Sequence, residues 1–195
     1  MTAPLNSITR AATAGSVKDV RRFLDQGCFV DEEDEDGCTA LFCAVAEGHY
    51  DVAVLLVESG ADMAHVDHRG FTLLHWSVFT NEARMLAMAL INDVSIDTMD
   101  QSGRTPLSWA ASQDADVALG WLLRHGAGPT VADGDGWTPL HYGAANGNLA
   151  VVMLLVNGGA ALDSESTTGE SPLAVAVRLN RCNVIPFLSE IGKRQ

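Results

Sequence analysis

Glycine recurs at Gly37, Gly70, Gly103, Gly136 and Gly169, each 33 residues after the last. A fixed period of this length limits the available folds more than composition can, because it implies one structural unit copied along the chain. Three residues ahead of the first four glycines stand Asp34, Asp67, Asp100 and Asp133, with Ser166 in the fifth copy. Two residues after each glycine is a hydroxyl side chain: Thr39, Thr72, Thr105, Thr138 and Ser171. Leucine then follows at Leu41, Leu74, Leu107, Leu140 and Leu173. No insertion breaks the phase. A unit this short cannot bury its apolar face alone, so neighbouring copies must stack.

The stretch "GWTPLHYGAANGN", Gly136 to Asn148, shows what one copy should build. Asp133 and Gly136 suit a tight turn, since glycine accepts positive φ and aspartate bonds nearby backbone. Thr138-Pro139 is a helix start: the hydroxyl can cap, and proline fits the first helical position. Ala144 and Ala145 predict close packing of this first helix. Gly147 allows a turn into a second helix, in which Val151, Leu154 and Leu155 recur at helical spacing. Gly159 ends it. The expected fold is all-α, with helix-turn-helix units and short β-hairpin or turn tips.

These registers resemble the ankyrin repeat, whose pattern runs D-x-x-G-x-T-P-L-H-x-A-A, then a glycine turn, a V-x-x-L-L helix and G-A-D. "DGDGWTPLHYGAANGNLAVVMLLVNGGA" and "DEDGCTALFCAVAEGHYDVAVLLVESGAD" carry the likeness, which extends over about residues 5–192. It implies one solenoid domain over 1–195: a cap repeat at 1–33, full repeats at 34–66, 67–99, 100–132 and 133–165, and a closing repeat at 166–195. The first segment keeps "AATAG" and "VRRFLDQG" but lacks T-P-L-H, and Lys18, Arg21 and Arg22 give it a polar outer helix. Arg178, Arg181, Lys193 and Arg194 do the same at the other end. Asn81 and Asp114 replace glycine at the inter-helix turn, and each is expected to adopt the left-handed conformation there. Leu73 stands for proline, and Asp93-Val94 for Gly-Ala. Pro186 falls in the first turn of the last helix, where it is tolerated.

Composition excludes several function classes. The net charge is −13 and there are only 12 lysines and arginines, which argues against nucleic acid and anionic lipid as partners. No apolar run reaches the roughly 18 residues of a membrane span, and no basic flank precedes an apolar core near the N-terminus. Cys28, Cys38, Cys43 and Cys182 are irregularly spaced and form no C-x-x-C pair, so free thiols in a reducing cytoplasmic or nuclear setting are expected. His75 and His141 occupy the T-P-L-H position, where the resemblance implies bonds to turn backbone between repeats. His49 falls in the "GH" turn, and His125 precedes a helix-ending glycine. His65 and His68 lie near His75 in sequence but offer no fixed ligand geometry, so no metal or cofactor is expected. Neither G-x-S-x-G nor a phosphate-cradling loop is present. The acids of "DEEDED", Asp31 to Asp36, read as a solvated tip or a docking patch rather than acid-base machinery.

What remains is a surface. The resemblance implies a concave groove, lined by tips and first helices, that binds partner proteins. After the histidine position stand Cys43, Trp76, Trp109, Tyr142 and Val175; the variable tip position holds Cys38, Phe71, Arg104, Trp137 and Glu170. Large aromatics and arginine, the types that dominate binding hot spots, recur where the repeat does not demand them. The candidate partner-binding residues are Phe71, Trp76, Phe79, Arg104, Trp109, Gln113, Trp137 and Tyr142, with Glu35 and Asp36 as an acidic flank. Trp76 and Trp109 could instead serve packing. Residues 34–66 hold seven acids and no lysine or arginine, whereas 166–195 carry four bases against two acids. The expected activity is therefore a non-catalytic, monomeric adaptor that binds a protein or peptide with basic and apolar side chains. A second reading makes the chain the recruiting portion of a larger enzyme such as a DHHC-type S-acyltransferase, because "GRTPLSWAA" resembles the Trp-bearing repeat of those proteins. A third is a structural spacer whose aromatics are dispensable.

Overall fold

The computed structural model describes residues 7–90 and 95–193. They fall into two compact units divided between Val94 and Ser95. Asp93-Val94 lies outside the described residues. The first unit contains α1 (Ile8–Thr13), α2 (Val17–Asp25), α3 (Ala40–Ala46), α4 (Tyr50–Glu58), α5 (Leu73–Val78) and α6 (Ala83–Ala89). The second contains α7 (Pro106–Ser112), α8 (Asp116–Arg124), α9 (Pro139–Asn146), α10 (Leu149–Asn157), α11 (Pro172–Arg178) and α12 (Ile185–Gly192). No strand occurs among the described residues: the tips are turns, not β-hairpins.

Each helix pair begins where the sequence places its hydroxyl. Thr39 accepts the N–H of Phe42, Thr105 that of Ser108, and Ser171 that of Ala174. Thr72 and Thr138 form reciprocal caps with His75 and His141. The inter-helix turns at Asn81 and Asp114 are left-handed, with φ of 51° and 56°, and Asn180 adds a third at 54°. Asparagine and aspartate tolerate this region better than other side chains do. Pro186 sits in the first turn of α12.

Two registers explain the stacking. Ala11, Ala44, Ser77, Ala110, Gly143 and Ala176 are all small and all buried, one per copy. They let the first helices approach closely, α1 to α3 to α5 in one unit and α7 to α9 to α11 in the other. A Cβ on Gly143 would lie 3.1 Å from Val151 of α10, so even a methyl group crowds the packing of α9 on the second helix of its own copy. In the second helices Leu56, Leu122, Leu155 and Leu188 hold the equivalent core position. Lys18, Arg21 and Arg22 of α2 are exposed.

Backbone bonds link successive tips within each unit: His68 N–H to Asp36, Gly134 N–H to Ser102 and Thr167 N–H to Asp135.

Candidate functional site

The turn aspartate organises each tip. Its Oδ1 accepts two backbone N–H groups, two and four residues on: Arg69 and Phe71 for Asp67, Ser102 and Arg104 for Asp100, Asp135 and Trp137 for Asp133. That fixes the carboxylate and turns Oδ2 toward the first helix of the same copy. There it meets the side chain nine residues on. Trp76 Nε1 donates to Asp67 at 3.2 Å and Trp109 Nε1 to Asp100 at 2.9 Å. The Tyr142 hydroxyl donates to Asp133 through a short bond. The aromatic after the histidine position is thus tied to the turn by its polar edge.

Arginine completes two of these pairs. The Arg104 guanidinium lies 3.8 Å from the Trp109 ring centre and 3.1 Å from Asp100. Arg69 lies 4.8 Å from the Trp76 ring and 3.4 Å from Asp67. Both combine a cation–π contact with a charge-assisted bond. Burial alone would raise the Asp100 carboxyl, but bonds from Arg104, Trp109 and Ser102 and the Arg104 charge outweigh it and hold it below the usual range. Burial, then the bond to Asp133, pushes the Tyr142 phenol well above its ordinary value, so it stays a donor at neutral pH.

The candidate residues separate into two groups. In the first unit Phe71 is a correction: it is 1% exposed, stacked on His75 and edge-on to Trp76, so it is core and offers no partner contact. Its tip position points inward here, whereas Trp137 and Arg104 at equivalent positions are half-buried. Trp76 is half-buried, and Phe79 is 40% exposed with its ring centre 5.6 Å from Trp76. Glu35 and Asp36 are exposed. In the second unit Trp109 and Tyr142 are half-buried, with Trp137 5.1 Å from Tyr142. Gln113 is exposed at the end of α7. The fourth tryptophan, Trp121, escaped sequence reasoning. It is buried in α8, stacked 3.8 Å from His125, whose Nδ1 lies 2.8 Å from the Trp121 carbonyl.

The remaining chemistry-bearing groups have structural partners. His49 Nε2 lies 3.0 Å from the Thr13 carbonyl and His65 Nε2 2.9 Å from that of Gly37. No cluster able to hold a metal ion occurs among the described residues. Burial pushes the Cys38 thiol up to about 12 and raises that of Cys43 as well, so neither is a thiolate at neutral pH. The four cysteines are free. No helix among the described residues is long and apolar enough to cross a membrane.

The edge bond gives a direct prediction. Trp109→Phe keeps the ring but removes the donor to Asp100, and thermal denaturation should show a loss of about 1 kcal/mol. An unchanged melting temperature would mean that the bond adds nothing to stability.

A family model of ankyrin repeats, in three copies, matches residues 4–67 and 117–194, more than half of the chain. The chain is 48% identical over 63 residues to a probable 26S proteasome regulatory subunit, p28, of Saccharomyces cerevisiae, a match covering 31% of this chain and 28% of that protein. It is 37% identical over 87 residues to an ankyrin repeat-containing protein of Schizosaccharomyces pombe, covering 45% and 40% of the two chains. It is 41% identical over 68 residues to a potassium channel of Arabidopsis thaliana, covering 34% of this chain and 8% of the channel. These matches span well under two thirds of each relative's length. With its phased turns, capped helix pairs and family match, the chain belongs to the ankyrin-repeat family.

Proposed function

We propose that this chain, read as a cap, four repeats and a closing repeat, is a non-catalytic protein-interaction module. Its working residues are the aromatic and arginine side chains held by the turn aspartates. The observation that carries this reading is the edge-on anchoring of Trp76, Trp109 and Tyr142. An aromatic whose polar edge is already bonded has its rotamer set before a partner arrives. Binding then costs little side-chain entropy, which is the general advantage of preorganisation. The same bond therefore serves packing and recognition, and the two roles do not compete. Arg104, Trp109, Trp137 and Tyr142 form such a surface in the second unit; Trp76 and Phe79 do so in the first.

Charge narrows the partner. Acids crowd residues 34–66, with seven of them and no lysine or arginine. A partner with basic and apolar side chains would be steered toward this end. The relation to a proteasome regulatory subunit supports an adaptor role, and a cytoplasmic or nuclear location goes with that reading. A role inside a longer protein is compatible with it, as in the potassium channel, where the matched repeats make up a small share of the chain.

The test is partner capture by the intact chain, by Trp109→Ala and by Trp137→Ala, each checked for unchanged helicity. A partner held by the intact chain should bind both variants about 30-fold or more weakly, the scale of hot-spot residues. Equal binding to all three would remove the aromatics from the interface.

A further inference from the structure

The aspartate–aromatic pairing has one exception among the first four tips. Asp34 holds its turn as the others do, with Oδ1 accepting the N–H groups of Asp36 and Cys38. Nine residues on stands Cys43, where Trp76, Trp109 and Tyr142 stand in the following copies. A thiol is far smaller than an indole and does not reach across. In place of the ring there is a pocket of about 170 Å³. Asp34, Asp36, Cys43 and Glu47 line it, with Thr13 of α1 on one side and Trp76 on the other.

The arginine is also replaced. Arg69 closes the Asp67–Trp76 pair in the next copy, and the residue in its register is Asp36. Arg104 closes the Asp100–Trp109 pair, and the residue in its register is Cys38. The chain thus builds a carboxylate, an aromatic wall and an opening of side-chain size, and it lines that opening with Asp36 where the next copy supplies the Arg69 guanidinium. The geometry points to a partner's arginine as the occupant: its guanidinium would donate to Asp34 Oδ2 and Asp36 while its methylenes lie along the Trp76 wall. Arginine suits this slot better than lysine, because a planar fork can meet carboxylate and aromatic surface together, as Arg104 does with Asp100 and Trp109. The inference rests on the reading of this chain as a protein-interaction module, and it names the side chain that module anchors at its acidic end.

The test titrates the full chain with N-acetyl-arginine methylamide and follows backbone and indole N–H signals by NMR. The lysine and tryptophan analogues serve as comparisons. The arginine analogue should move the signals of Cys38, Cys43, Glu47 and the Trp76 indole, saturably. Asp34→Asn keeps the turn acceptor at Oδ1 but turns the second oxygen into a donor, and should weaken binding about tenfold. Cys43→Trp places in the pocket the ring that the next copies carry, and should abolish the shifts while leaving the melting temperature equal or higher. Shifts of the same size with the lysine or tryptophan analogue would overturn the assignment, as would an unchanged affinity for the arginine analogue in Asp34→Asn. Because the probe is a single amino-acid analogue, the result is independent of partner capture. Failure here leaves the anchored aromatics standing, and failure there leaves this pocket standing.

Discussion

Replacing His141 with alanine should destabilise the chain by about 2–4 kcal/mol, the range for emptying a filled core site and leaving buried polar groups unpaired. His141 is fully buried. Its Nδ1 accepts the Thr138 N–H at 3.0 Å and faces the Thr138 hydroxyl at 2.9 Å. That leaves the proton on Nε2, which donates to the Glu170 carbonyl at 3.0 Å. One imidazole therefore closes its own helix cap and ties α9 to the tip that precedes α11. The bond at Nδ1 requires the neutral ring, since a proton there would face the Thr138 N–H, whereas Nε2 donates to the Glu170 carbonyl in either state.

Burial is the largest influence on this ring and holds its pKa below the ordinary 6.5, against the Glu170 carbonyl and the charges of Asp133 and Glu170. With the folded value depressed, the unfolded chain takes up the proton first as pH falls. The stabilisation is thus fully present above the unfolded value and is lost as pH drops through the folded one. Melting temperature should fall from pH 7 to pH 5 in the intact chain and fall less in His141→Ala. Parallel pH curves for the two proteins would show that protonation of His141 does not govern the acid response.

Gly136→Ala is the second large effect expected, at about 2–3 kcal/mol. Gly136 has φ of 76°, a region costing an alanine about 1 kcal/mol or more. The added Cβ would also stand 2.9 Å from the Thr167 nitrogen and 3.1 Å from Ser166 backbone. Backbone cannot swing aside as a flexible side chain can. The bond from Thr167 N–H to Asp135, which joins the two tips, would have to open, adding about 1 kcal/mol. Gly169→Ala supplies the comparison: φ is again 76°, but nothing lies within 4 Å of its Cβ. It should show the conformational cost alone. The difference between the two melting shifts measures how firmly one copy docks on the next, and equal shifts would mean that the tips contribute nothing to docking.

The sequence by itself determined the repeat, its phase and most of its local structure. Thr39, Thr105 and Ser171 cap helices where the hydroxyl register puts them, and Asn81 and Asp114 are left-handed where they replace glycine. Such features depend on a few neighbouring residues, so periodicity alone exposes them. The small-residue register from Ala11 to Ala176 is equally plain once the copies are aligned. The tertiary structure decided which side chains of the aligned positions meet. Phe71 and Trp137 share a register, yet one is core and the other half-exposed. Trp76, Trp109 and Tyr142 are visible as recurring aromatics, but their bond to an aspartate nine residues earlier appears only when the turn aims Oδ2 at the helix. The pocket at Cys43 exists for the same reason. A short side chain leaves space only where the fold has already brought a carboxylate and a neighbouring tryptophan around it, and side-chain volume in three dimensions is not written in a one-dimensional register.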